Sequence, residues 1–326
     1  MQTMRTMTFA EAIVDGLANA LRADPCVTMV GSYVLGLGPL RHHMDRIKRE
    51  FPDRLIDGPI SEAALAGLGA GAAMAGARPF VDFGTASFSL LALSQLANES
   101  AVARLMSGGQ ISVPVVYHML HGVRGGGAAQ HSTSPQAMLW NSPGLEIVLP
   151  SGPRDVKGLI RRSLKTDNPT VFINHAKLMA YEEAVPEEDY EIAFGVAEIK
   201  RAGRDVTIVA TSYMVRVALA AADQLAAEGI EAEIVDPRTL VPFDEAAVLT
   251  SVGRTGRLVV VDECPLRCGI ASEIVATVAE RGFRSLKAPP QRVARADSPI
   301  PCSPGLEAAV TPSEATIIDA VHRVMR

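Results

Sequence analysis

Short β-branched, apolar runs alternate with longer runs of helical period along the whole chain, and this alternation constrains the fold more than any single motif. Thr8-x-x-Glu11 forms a capping box that predicts a helix to about Arg22, and Val27–Val30 follows as an apolar strand. Ser61 opens an Ala/Gly-rich helix ending near Gly76. Pro79–Phe83 reads as a strand, Ser87–Met106 as a helix, and Val113–Tyr117 as a β-branched strand running into a glycine-rich loop. Leu145–Leu149 is a strand, Ser151 and Pro153 start a further helix, and Val171–Asn174 closes the first half. The acidic stretch Tyr181–Glu191, with Pro186 inside it, reads as a linker. The alternation then resumes. Val206–Ala210, Ala232–Val235 and Leu258–Asp262 read as strands, Val215–Glu228 and Ile270–Arg281 as helices, and Pro312-Ser313 begins a last helix. Such alternation predicts parallel sheets covered by helices. The expectation is an α/β protein with two domains and mainly parallel sheets, over 1–180 and 192–326, joined by a linker at 181–191.

The 326 residues suffice for two cores of ordinary size. A net charge of −5 gives no basic patch for nucleic acid, and none is expected as a partner. The weakly polar stretch Ala63–Ala77 is mostly Ala and Gly and falls short of the roughly 20 strongly apolar residues of a spanning helix. The N-terminal residues lack the apolar core of a secretory signal. A cytoplasmic protein with no membrane partner is the expectation. Cys26, Cys264, Cys268 and Cys302 are too few and too scattered for a disulfide framework, and no second Cys or His pair stands at zinc spacing.

Generic nucleotide signatures are missing. A dinucleotide fingerprint starting at Gly36 would need glycine at 41, where Arg41 stands. Neither a phosphate loop nor a Gly-x-Ser-x-Gly elbow occurs. The loop from Gly122 to His131, GVRGGGAAQH, stands out, because three consecutive glycines lose much chain entropy on ordering. It is either a mobile surface loop or a segment that approaches a ligand closely, with His131 at its end. Glu62 offers a similar choice: a carboxylate at a helix start is ordinary capping chemistry. The glycines behind it, Gly67, Gly69, Gly71 and Gly76, make a helix weak by propensity, and their spacing suits close packing of another element.

Taken in order, these segments resemble the beta subunit of the decarboxylating component of 2-oxo acid dehydrogenase complexes, of the pyruvate, branched-chain and acetoin type. The matching pieces are Asp57-Gly-Pro-Ile-Ser-Glu62, Gly67-x3-Gly71-Ala-Ala-Met-Ala-Gly-x-Arg78-Pro79, Phe83, Phe88-Ser89, Met106-Ser-Gly-Gly109, Ala128-Ala-Gln-His131-Ser132 and Asp167-Asn168-Pro169. In the second half they are Gly229-Ile-Glu-Ala-Glu, Asp236-Pro-Arg238-Thr239, Thr255-Gly-Arg-Leu-Val-Val-Val-Asp-Glu263 and Ala296-Asp297-x-Pro299-x-Pro301. The resemblance spans essentially the whole chain.

The resemblance implies a transketolase-like pyrimidine-binding domain followed by a transketolase C-terminal-like domain. It implies thiamine diphosphate as cofactor, held with Mg²⁺ by a separate alpha subunit through Gly-Asp-Gly…Asn, in an alpha2beta2 heterotetramer. This chain contains no Gly-Asp-Gly. The implied reaction is oxidative decarboxylation of a 2-oxo acid, with acyl transfer to the lipoyl group of an acyltransferase. By its match, Glu62 should hydrogen-bond the ring nitrogen of the cofactor's aminopyrimidine and favour its imino tautomer. Ile60 and Phe88 should also contact the cofactor, Phe88 packing near the pyrimidine. His131 matches the histidine that assists acyl transfer to the lipoyl arm. The family often binds potassium through carbonyls, and the matched positions are Val115, Ser163, Leu164, Thr166 and Asn168.

Several family residues differ. Gly31-Ser32-Tyr33 replaces Gly-Glu-Glu or Gly-Glu-Asp, removing an acid from a path between active sites. Gly58 replaces Thr, Ala86 a Phe, Thr166 an Asp and Cys302 a Tyr. His118, Met119 and His121 stand where Arg, Gly and Asn are usual. Such changes around the expected pocket suggest a specialised substrate. The alternatives are half of a two-subunit carboligase, acyloin-forming or transketolase-like, and a non-catalytic scaffold subunit.

Overall fold

A computed structural model describes residues 3–31, 40 and 42–326. The departures at Ser32 and Tyr33, and the glycine run from Gly36 to Arg41, lie outside the described residues apart from position 40. The chain divides into two compact units. One holds the residues up to His121 together with Met138–Phe194, and the other holds Gly122–Ala137 with Gly195–Arg326.

In the first unit β1 (Met4–Thr8) leads into the helix Phe9–Ala23. Then come β2 (Val27–Val30), β3 (Leu55–Ile56), β4 (Arg78–Thr85), β5 (Val116–His121), β6 (Glu146–Val148), β7 (Thr170–His175) and β8 (Glu182–Pro186). The large sheet of this unit runs β6-β7-β5-β4-β2-β3. Every one of these pairings is parallel. All six residues of the central strand β5 are buried, as a parallel strand covered on both faces requires.

Local rules explain the helices. Thr8 Oγ1 accepts from Glu11 N–H at 3.1 Å while the Glu11 carboxylate accepts from Thr8 N–H at 2.8 Å, completing the capping box. The helix Phe9–Ala23 packs on the helix Pro153–Ser163. Gly16 permits the approach, since a Cβ there would lie 3.1 Å from the Lys157 carbonyl oxygen. Lys157 is fully buried, and three oxygens hold its ammonium. Asp15 pairs with it at 2.9 Å, and the Pro186 and Glu187 carbonyls accept from it at 2.6 and 3.2 Å.

Two expectations change. The acidic stretch 181–191, read as a linker, is part of the first unit. Its strand β8 pairs antiparallel with β1, from Met4 opposite Pro186 to Thr8 opposite Glu182. Its acidic side chains stay mostly exposed, but Asp189 takes both arms of the Arg161 guanidinium at 2.6 and 2.7 Å. The single helix expected over 87–106 is broken into a 3₁₀ segment Ala86–Ala92, a π-helical segment Ser94–Ser100 and a short α-helix Ala103–Met106. The wide π turn carries Ser100, whose hydroxyl lies 2.7 Å from the buried Tyr117 hydroxyl.

The second unit contains β9 (Glu198–Arg201), β10 (Val206–Ala210), β11 (Ala232–Asp236), β12 (Thr239–Val241), β13 (Leu258–Pro265) and β14 (Gln291–Arg295). Its five-stranded sheet has the order β14-β13-β10-β11-β9, with only β9 antiparallel to its neighbour. Its core gathers Val206, Ile208, Leu225, Val259, Ile317 and Val321 from strands β10 and β13 and the helices Met214–Ala227 and Glu314–Met325. Asp244 caps the helix Glu245–Thr255, and Gly256 ends it at φ 77°.

Candidate active-site residues

Glu62 is the first residue of the helix Glu62–Met74, preceded by Ser61 in an extended conformation with no side-chain cap. Its side chain is buried at 6% exposure, yet no described residue donates a hydrogen bond to its carboxylate. Neither of its oxygens is among the fully buried, unpartnered side-chain atoms of the described residues, so the carboxylate keeps an accessible edge at the positive end of the helix. Such a group suits a ligand that brings its own donor. Gly58, where the family has Thr, precedes it in sequence, and a Cβ there would come 3.1 Å from the terminal Leu65 Cδ2.

The helix behind Glu62 is fixed at two points. Gly69 sits against β4, where a Cβ would fall 2.4 Å from Val81 Cγ2. The Ala66 carbonyl accepts from the Tyr117 hydroxyl at 3.4 Å. Burial pushes the Tyr117 phenol up to about 12, with the Ser100 hydrogen bond opposing the shift. The close helix packing expected at Gly67 and Gly71 is not made among the described residues; only Gly69, on the buried face, makes a tight contact, and it is with a strand. Gly67 and Gly71 have nothing within 4 Å and face outward.

Phe88 is half-buried in the segment Ala86–Ala92, which packs on this helix, and Ser89 Oγ donates to the Ala86 carbonyl at 2.7 Å. Ala86, where the family has Phe, has no exposed surface. Ile60 is 71% exposed. A cavity of about 440 Å³ in this unit is lined by Ser100, Arg104, Gly109, Asn168 and neighbours, and none of Ile60, Glu62 and Phe88 borders it.

His131 ends the short helix Ala128–His131 and is exposed. It belongs with the second unit, together with the rest of Gly122–Ala137. Sequence order suggested otherwise, because the loop directly continues β5. Within the second unit Gln136 Nε2 donates to Asp262 Oδ1 at 3.4 Å, and the buried Cys264 thiol, its ionisation pushed up by burial, donates to the Ser134 carbonyl at 3.5 Å.

The matched potassium positions converge only in part. Val115, Ser163, Leu164 and Thr166 are buried, while Asn168 is exposed. The Val115 carbonyl accepts from Thr170 N–H at 2.9 Å. The Leu164 and Thr166 carbonyls accept from the Arg78 guanidinium at 3.4 and 2.8 Å. A cation already faces two of the five oxygens, so this donor set does not fit a further ion while Arg78 stays in place. Among the described residues no group of three or more His, Cys, Asp or Glu could hold a metal, and no helix is long and apolar enough to cross a membrane.

One buried network escaped the sequence reading. His118 Nδ1 lies 2.5 Å from Asp82 Oδ1, and Asn174 Nδ2 lies 2.8 Å from His118 Nε2, on three adjacent strands. The imidazole stacks on Phe80 at 5.0 Å. His118 was visible as a departure from the family. Asp82 and Asn174 carry no local signal, because only strand register makes them neighbours of His118.

Comparison with known proteins settles the family. Residues 5–180 match the family "Transketolase, pyrimidine binding domain", and residues 195–317 match "Transketolase, C-terminal domain". The chain is 40% identical to the acetoin:2,6-dichlorophenolindophenol oxidoreductase subunit beta of Cupriavidus necator, over 99% of this chain and 98% of that one. It is 37% identical to the Bacillus subtilis subunit of the same name, covering 98% of both. To the mitochondrial pyruvate dehydrogenase E1 component subunit beta-2 of Oryza sativa it is also 37% identical, over 98% of this chain and 86% of the relative. The chain belongs to the transketolase-like beta subunits of 2-oxo acid dehydrogenases. The fold of this beta subunit is also that of a solved "Split gene transketolase, inactive beta4 tetramer", with a TM-score of 0.81 at 22% identity and 98% coverage of each chain. The family uses thiamine diphosphate.

Proposed function

We propose that this beta subunit completes a thiamine diphosphate site together with an alpha subunit, and that the pair oxidatively decarboxylates a 2-oxo acid and passes the acyl group to a lipoyl acceptor. The observation that carries this reading is Glu62, buried at 6% exposure, with no described donor, at the start of a helix pinned to the sheet by Gly69. Thiamine diphosphate, when bound, supplies the electron sink for cleaving the bond beside the substrate carbonyl. The Glu62 carboxylate holds the proton shared with the pyrimidine nitrogen, and Phe88 and Ile60 give that ring an apolar seat. Exposed His131 offers a proton or hydrogen bond to a bulky incoming acceptor. The diphosphate and Mg²⁺ fall to the alpha subunit, since this chain has no Gly-Asp-Gly. Potassium is not part of the proposal.

An apolar surface beside Glu62 supports a partner. Ile60, Leu68, Met74, Leu90 and Leu91 are exposed there, and Gly67 and Gly71 leave the helix backbone open to close approach. An alpha2beta2 assembly would cover this face. The test is reconstitution with the companion alpha subunit followed by calorimetric titration with thiamine diphosphate and Mg²⁺. Uptake by the pair and not by this chain alone is expected, and failure of every pair to bind refutes the reading.

A second reading has one observation behind it. The relative at 40% identity carries acetoin in its name, so an acyloin is a rival substrate class, and a carboligase activity is its reverse. Dye reduction by the reconstituted pair with pyruvate, branched 2-oxo acids and acetoin in parallel separates the two.

A further inference from the structure

The glycine loop that carries His131 is held at successive backbone positions by carboxylates of the second unit. Val123 N–H donates to Glu263 Oε1 at 2.7 Å. Gly125 N–H donates to Glu307 Oε1 at 2.8 Å, and Gly126 N–H donates to Glu307 Oε2 at 3.0 Å. The Gly126 carbonyl in turn accepts from the Cys302 thiol at 3.6 Å. Glu263 and Glu307 are 1% and 3% exposed, and Glu307 sits in the helix Pro304–Val310.

Adjacent amides rarely point at one carboxylate. Here they do because Gly125 and Gly126 have φ of 79° and 116°, a region side chains resist. Space is not the reason for these glycines. A Cβ on Gly125 would meet nothing within 4 Å, and one on Gly126 would make only an ordinary 3.5 Å contact with the Cys302 carbonyl oxygen. The backbone geometry demanded by a shared, buried carboxylate is the reason. A run of three glycines, left to itself, samples many conformations. Clamped at its start, it delivers the short helix Ala128–His131 in one place.

We propose that Glu307 is a positioning residue: its carboxylate fixes Gly125 and Gly126 so that the exposed His131 imidazole is presented to the acyl acceptor. The proposal rests on the role given to His131 above. It assigns a task to a side chain far along the sequence from the loop it serves, and makes acceptor transfer depend on it while leaving earlier steps alone.

The experiment uses the reconstituted pair with Glu307→Gln, Glu307→Asp and His131→Gln. Three quantities are read: dye reduction, acylation of a lipoylated acceptor domain, and amide hydrogen exchange across 123–131. Glu307→Gln replaces one acceptor by a donor facing an N–H. It should raise exchange at Gly125 and Gly126 about tenfold or more and lower lipoyl acylation by a similar factor, with dye reduction kept within about twofold. Glu307→Asp keeps the charge but shortens the reach, and should fall between Gln and the native chain. His131→Gln should lower acylation with native exchange. If His131→Gln leaves acylation unchanged, the role of His131 fails, and the exchange result alone then decides whether Glu307 holds the loop. If His131→Gln impairs transfer while Glu307→Gln changes neither exchange nor acylation, the positioning role is overturned. A parallel loss of dye reduction and acylation in the Glu307 variants also overturns it, because that pattern means general structural damage.

Discussion

Buried carboxylates in this chain fall into two kinds, and the contrast between Glu62 and its counterparts shows how. In the second unit both oxygens of Glu307 are taken by backbone amides, and Glu263 accepts another. In the first unit Asp15 neutralises the buried Lys157. These groups finish the scaffold. Glu62, at 6% exposure, is less deeply placed than Glu263 and Glu307 at 1% and 3% but more than the partly exposed Asp15, and no described residue donates to it. A carboxylate whose oxygens are taken by fixed donors finishes the scaffold, while one with an accessible edge and no described donor is free to take its donor from a ligand.

The contrast can be broken by measurement. Asp15→Ala leaves the Lys157 ammonium buried with only carbonyl partners, and should destabilise the chain by about 3–5 kcal/mol in denaturant titration. A loss under 1 kcal/mol would show that this pair is not a scaffold element. Glu62→Gln should lower turnover of the reconstituted pair by about 100-fold or more, roughly 2.7 kcal/mol of barrier, while the melting temperature of the chain holds or rises. A clear drop in melting temperature would place Glu62 with the scaffold group instead.

The phenol beneath the Glu62 helix sharpens the comparison with a pH test. Tyr117 is held neutral to about pH 12 in the folded chain, against an ordinary value of 10.0. The folded state therefore keeps a proton that the unfolded state loses. Stability from this group is complete below about pH 10 and falls by up to roughly 1.4 kcal/mol per pH unit as pH rises toward 12. Tyr117→Phe should lose about 1 kcal/mol at neutral pH and flatten that alkaline decline. An unchanged slope in the variant would mean that Tyr117 does not hold the helix. The smallest effect concerns reactivity. Cys264 is buried, with its ionisation pushed up, so at pH 8 alkylating reagents should modify the exposed Cys26, Cys268 and Cys302 well before it, as mass spectrometry would register.

Much of this was legible in the residues. The alternation of strand and helix runs gave the fold class, since periodicity is a local property that burial on both faces of a parallel sheet imposes. The capping box at Thr8 and Glu11 formed as read, because it needs only neighbours three apart. The 181–191 segment was misread for the converse reason. Its composition is that of a solvated linker, and only Arg161, Lys165 and β1 turn its acids and backbone into docked structure. The break in the helix expected over 87–106 was equally silent, because the Ser100–Tyr117 contact lies across the fold.

The sequence by itself determined the family: the ordered motifs along the chain resemble the thiamine-dependent beta subunits to which it belongs. Tertiary structure alone decided which carboxylates are spent and which are left over. It paired Asp82 with His118, gave the amides of Gly125 and Gly126 to Glu307, set Arg78 against the Leu164 and Thr166 carbonyls, and gave Glu62 no donor among the described residues. The reason is physical. Periodicity and capping act over a few residues, whereas the satisfaction of a buried charge depends on partners that strand register and domain packing bring from anywhere in the chain.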